Sequence, residues 1–113
     1  MTELSRIGLL AELPGEQLTK LAHRMRREEV GPGQPLLREG DDGDRFYVVL
    51  NGLLSVTQND RGLRRILKPG DYFGEVALTM DLPRTASVSP MTLSTVASCD
   101  RETFDEFIRP LFA

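Results

Sequence analysis

The sequence predicts a mainly β protein with flanking α-helices: an antiparallel β jelly roll, or double-stranded β-helix, with helices at its N- and C-terminal ends. Three observations lead there. Helical periodicity is confined to residues 1–27 and 100–113. Between them, over residues 28–99, short apolar runs alternate with glycine or proline turns, the pattern of a β-sandwich or barrel. At 113 residues, with 40% hydrophobic and 27% charged residues, the chain has the length and composition of one small globular domain spanning 1–113.

The N-terminal helical part opens with Leu4, Ile7, Leu9, Leu10 and Ala11, which predict a short helix over 3–12 that breaks at Pro14-Gly15. Pro14 then opens a second helix, where Leu18, Leu21, Ala22 and Met25 recur at i, i+3, i+4 and i+7. Arg24, Arg26 and Arg27 at its end suit the negative end of the helix dipole and read as a solvated basic end.

From Gly31-Pro32-Gly33-Gln34-Pro35 onward no helix can continue. Strands are expected at 28–30, 35–38, 45–51, 53–58, 63–67, 86–90 and 91–97, with turns at 40–43, 51–52, 59–62 and 69–70. Asn51-Gly52 is a tight-hairpin signal, or a bend between successive strands. The last segment opens on Asp100 as an N-cap and puts Phe104, Phe107, Ile108 and Leu111 on one face, a helix packed on the barrel that Pro110 bends or ends.

Several function classes lack their parts. A net charge of −3 argues against direct binding of nucleic acid, which normally needs a basic face. Cys99 is the one cysteine and no signal-peptide-like run follows the start, so a reducing, cytoplasmic setting is expected. No apolar stretch approaches the roughly 20 residues that cross a bilayer, so no membrane contact by this domain is expected. With His23 the one histidine, neither a metal centre nor a Ser-His-Asp triad can be assembled, and His23 reads as structural. Phosphate-loop and dinucleotide fingerprints are missing. Asp41-Asp42-Gly43-Asp44 lacks the spacing of a calcium loop and reads as a solvated turn. Asp71 and Glu75 do not by themselves make a hydrolase pair, and no enzymatic role is expected.

What remains is the stretch 72–88, Y-F-G-E-V-A-L-T-M-D-L-P-R-T-A-S-V. Gly74 lets a ligand approach the main chain and permits unusual dihedrals. Glu75-Val76-Ala77-Leu78 can form one helical turn whose free N–H groups face an anion. Arg84 supplies a planar fork matched to two phosphate oxygens. Glu75 beside such a site is best explained as an acceptor for sugar hydroxyls, since a phosphate alone would reject it; the plainer alternative is a carboxylate stabilised by the helix start. The chemistry is that of a site for an anionic, hydroxyl-bearing small molecule.

Phe73-Gly74-Glu75-Val76-Ala77-Leu78, a spacer, and Pro83-Arg84-Thr85-Ala86-Ser87-Val88 resemble the phosphate-binding cassette of cyclic nucleotide-binding domains. Gly40-Asp41, Phe46-Tyr47-Val48, Gly52 and Leu67-Lys68-Pro69-Gly70-Asp71 fall in that family's order, so the resemblance spans roughly residues 8–112. It implies a non-catalytic sensor of cAMP or cGMP with no metal. Arg84 and the cassette N–H groups would hold the phosphate, and Glu75 the ribose 2′-hydroxyl. Thr85 leaves cGMP open without excluding cAMP, and small Ala86 and Ser87 let their backbone face the ligand. Val56, Leu67 and Val88 would wall the base, though barrel interiors hold such residues in any case. The resemblance also implies an effector domain or partner protein outside this chain. A further C-terminal lid helix, usual in the family, is expected to be lost, removed or supplied by another chain. A binding-silent interaction module, or the effector half of a transcription regulator, is the alternative.

Overall fold

The computed structural model describes residues 3–112; Met1, Thr2 and Ala113, at the outer ends of the predicted helical segments, lie outside the described residues. Seven strands follow one another as β1 (Arg26–Val30), β2 (Arg45–Asn51), β3 (Leu54–Gln58), β4 (Gly62–Leu67), β5 (Tyr72–Phe73), β6 (Ser87–Pro90) and β7 (Ser94–Asp100). They form two antiparallel sheets, β1-β7-β2-β5 and β4-β3-β6, the two faces of the expected jelly roll. The helices are α1 (Gly15–Arg24), α2 (Glu75–Thr79) and α3 (Arg101–Thr103).

Strand β2 explains how one sheet serves two cores. Side chains alternate along a strand. Phe46 and Val48 therefore face a helical cluster with Leu4, Ile7, Leu10, Leu18, Leu21, Phe104, Phe107 and Ile108. Tyr47 and Val49 face the space between the sheets with Leu54, Leu67, Phe73, Val88 and Val96. Burial on both faces is why this strand is apolar without interruption.

Helix α1 buries Leu18 and Leu21 as its periodicity predicts, but it stops at Arg24. Arg26 and Arg27 already belong to β1, so the helical part ends earlier than 27. Residues 3–12 form two 3₁₀ turns, Glu3–Arg6 and Leu10–Glu12, on either side of Gly8, a weak helix former. Leu37 makes one isolated bridge to Val88, so the strand expected over 35–38 does not form. The strand expected at 91–97 starts at Ser94 and runs on to Asp100. Asn51-Gly52 is the bend and not the hairpin: β2 and β3 lie in different sheets. Gly52, at φ 89°, passes so close to Ser94 that a β-carbon would lie 2.7 Å from the Ser94 Cα.

Asp100 caps the C-terminal helix by accepting from the Thr103 N–H at 2.9 Å. The helix then widens into a π turn over Phe104–Ile108, where the Arg109 N–H donates to the Phe104 carbonyl, and tightens to 3₁₀ over Arg109–Phe112. Pro110 explains the change, having no N–H for the Glu106 carbonyl and a ring that clashes with it.

Candidate functional site

Strand β5 runs into Gly74 at φ 94°, the left-handed residue that precedes α2. A β-carbon there would lie 2.9 Å from the Arg45 carbonyl oxygen and 3.1 Å from Arg84 Nη1, so only glycine fits. Tyr47 and Phe73, paired across β2 and β5, stack with ring centroids 4.8 Å apart and fix the approach to this turn.

Arg84 is 6% exposed. Its backbone pairs with the 40–41 turn: its N–H donates to the Asp41 carbonyl and its carbonyl accepts from the Gly40 N–H, each at 2.8 Å. Nη1 donates to the Gly74 carbonyl at 2.9 Å and Nη2 to the Arg45 carbonyl at 2.8 Å. The guanidinium carries further N–H donors for an anion. Burial lowers its pKa, opposed by Tyr47, Asp44 and Glu75. Arginine titrates so high that it stays a cation.

Glu75 is the complement. Among the described residues its Oε2 is the one buried side-chain polar atom without a hydrogen-bond partner. Burial raises its pKa, against the opposing effects of its own backbone N–H, Arg65 and Arg84. A buried carboxylate oxygen without a donor is costly, and a ligand hydroxyl would satisfy it.

These groups meet in a cavity of about 120 Å³ between the sheets and α2. Its lining includes Phe73, Gly74, Glu75, Val76, Ala77, Arg84, Thr85 and Ala86 from the cassette, with Val56, Leu67 and Val88 from the strands. Leu78 departs from the sequence reading: it is 1% exposed and packs in the helical cluster, because the one-turn helix turns that position away from the cavity. Leu37, Arg65 and Tyr72 also line the cavity, which the sequence reading did not anticipate. Arg65 had a signal: it lies two residues before Leu67 on β4 and pairs with Val56 on β3, so it shares their face. Among the described residues no group of His, Cys, Asp and Glu could hold a metal ion, and no helix is long and apolar enough to cross a membrane.

Residues 27–110 match the family described as the cyclic nucleotide-binding domain. The chain belongs to this family. Among curated relatives of this cyclic nucleotide-binding domain, the cAMP-dependent protein kinase regulatory subunit of Yarrowia lipolytica is 38% identical over 96% of this chain and 29% of its own length. The human cGMP-dependent protein kinase 2 is 34% identical over 93% of this chain and 15% of its own length. The chain thus spans under a third of either relative. Among solved structures, the regulatory domain of Toxoplasma gondii PKA with cAMP superposes with a TM-score of 0.85 at 28% identity, over 96% of this chain and 42% of that one. The regulatory subunit of a cAMP-independent protein kinase A from Trypanosoma brucei gives 0.91 at 25% identity, over 96% and 40%.

Proposed function

We propose that this cyclic nucleotide-binding domain is a non-catalytic sensor that binds a 3′,5′-cyclic purine nucleotide and relays its presence to an effector domain or partner protein in the cytoplasm. The observation that carries the reading is the pairing, on one cavity, of a buried guanidinium already oriented by two carbonyls with a buried carboxylate oxygen that has no partner. The cation fits a cyclic phosphodiester, which carries a single negative charge, and the carboxylate a ribose hydroxyl. Neither alone would specify a nucleotide; together they select an anion that carries an alcohol.

The remaining lining follows from the same chemistry. Val56, Leu67 and Val88 offer an apolar wall to the purine. Val76, Ala77 and Ala86 let the ligand approach the main chain, whose N–H groups share the phosphate with Arg84. Leu78 contributes through its place in the core, which anchors α2. Arg65 and Thr85 add donors at the cavity wall. Thr85 leaves cGMP open without excluding cAMP.

Calorimetric titration with both nucleotides tests this reading. Saturable heat with either, lost in Arg84→Ala, supports it. A second reading, a binding-silent module of the same fold, is favoured by the likeness to a regulatory subunit of a cAMP-independent kinase. Silence towards both nucleotides in the folded protein would select it.

A further inference from the structure

Helix α2 is held at both ends by arginines from other parts of the chain. Beside its first residue, Arg84 holds the Gly74 carbonyl at 2.9 Å. At its other end Arg109 reaches over from the C-terminal segment: Nη2 donates to the Leu78 carbonyl at 2.6 Å and Nη1 to the Thr79 carbonyl at 3.4 Å. The last carbonyls of a helix have no intrahelical donor, and in a helix of five residues they are a large share of the backbone. A cation there satisfies them and suits the negative end of the dipole. Leu78 is 1% exposed, so water cannot easily replace the lost donor.

Arg109 is itself aimed. Its Nε donates to Asp105 Oδ1 at 2.8 Å, and its guanidinium carbon lies 5.7 Å from the centroid of the fully buried Phe104 ring. It opens the 3₁₀ turn that follows the π turn over Phe104–Ile108, an irregular stretch whose bonding pattern can shift by one residue. A movement of α2 therefore reaches the C-terminal segment through this side chain, beside the apolar cluster that Leu78 shares with Phe104, Phe107 and Ile108.

We propose that Arg109 is a positioning residue that ties occupancy of the cavity to the placement of residues 104–112. This inference rests on the cyclic nucleotide reading for its ligand, but the cap itself exists without ligand. Each state of the cavity favours one placement of the C-terminal segment, and by linkage that placement sets how long the nucleotide stays.

The test compares the wild-type protein with Arg109→Ala, Arg109→Lys and Arg24→Ala. Arg24 serves as a control because it pins the same C-terminal helix, through Glu106 at 2.6 Å and the Phe107 ring, without touching α2. Amide exchange is followed in residues 76–80 and 104–112, with and without saturating cGMP or cAMP, alongside the nucleotide dissociation rate. In the free protein Arg109→Ala is expected to speed exchange in 76–80, with partial recovery in Arg109→Lys. Nucleotide is expected to leave Arg109→Ala about tenfold faster than wild type, the consequence of losing one charge-assisted hydrogen bond, and to protect its residues 104–112 less than those of wild type on binding. Arg24→Ala should keep the wild-type dissociation rate. Unaltered exchange in 76–80 of Arg109→Ala would overturn the cap, and wild-type protection of its residues 104–112 by nucleotide would overturn the coupling. If the wild type binds neither nucleotide, the sensor reading and the coupling fall together, while exchange in 76–80 still decides the cap.

Discussion

Arg84 holds the Gly74 carbonyl at 2.9 Å, so the residue we propose for the anion also fixes the turn from which Glu75 departs. On that proposal, structure and binding are linked at this arginine. Arg84→Ala leaves the Gly74 and Arg45 carbonyls without their donor and removes the positive charge. We expect a loss of about 2–6 kcal/mol in folding stability, at about 1–3 kcal/mol for each of the two buried acceptors left unpaired, and at least a hundredfold loss of nucleotide affinity, the scale of an ionic partner left alone in a desolvated site. Arg84→Lys should recover little of either, because a point charge cannot serve two carbonyls and a phosphate at once. Denaturant melts and calorimetry on the same samples check both.

Glu75 should behave oppositely in the two assays. Its folded-state pKa is raised from 4.5, chiefly by burial. The folded protein therefore binds more protons than the unfolded chain between 4.5 and the raised value. The stabilising effect of the protonated form is fully present below 4.5 and is lost as pH rises through the raised pKa. Glu75→Gln is accordingly expected to match or exceed wild-type stability at neutral pH, yet to bind nucleotide about tenfold more weakly, since a neutral amide is the poorer acceptor for a hydroxyl. Wild-type affinity should fall as pH drops through that window, and the fall should be absent in Glu75→Gln. Titrations at several pH values decide it.

Gly74→Ala tests the turn itself. The φ of 94° and the 2.9 Å approach of a β-carbon to the Arg45 carbonyl oxygen combine backbone strain with a clash. A cost of about 1–3 kcal/mol is expected, together with weaker binding as Arg84 Nη1 is pushed aside. Chemical denaturation gives the first and calorimetry the second.

Arg65 should add to the affinity for either nucleotide through its charge at the cavity wall. Its side chain is 58% exposed and lies 3.8 Å from Asp71, a loose pair it can leave. Arg65→Ala is expected to weaken cGMP and cAMP alike by about two- to fivefold, the scale of one solvent-exposed charge, so the ratio of the two affinities should stay near its wild-type value. Competition binding measures the ratio directly.

Much of this was legible in the sequence, because its signals are local. The α1 stripe of Leu18 and Leu21, the apolar run of β2, the one-turn helix after Gly74 and the Asp100 cap each follow from residue type and spacing over a few positions. What escaped the reading depends on distant partners. Nothing in residues 35–38 reveals that Leu37 meets Val88 at a single bridge, since a lone bridge and a strand have the same composition. The π turn after Thr103 was foreshadowed by Pro110, but only as a bend or an end. Leu78 lies in the core because a single helical turn rotates its fourth residue there, whereas alternation on β4 carries Arg65 to the cavity beside Leu67.

The central claim is that Arg84 and Glu75 act on one ligand, and a double-mutant cycle measures it most directly. Calorimetric titration of cGMP and cAMP into wild type, Arg84→Ala, Glu75→Gln and the double variant should give saturable binding in the wild type, weaker binding in each single variant, and a double variant weaker than either. Absence of binding in a folded wild-type protein, or binding that neither substitution alters, would contradict it.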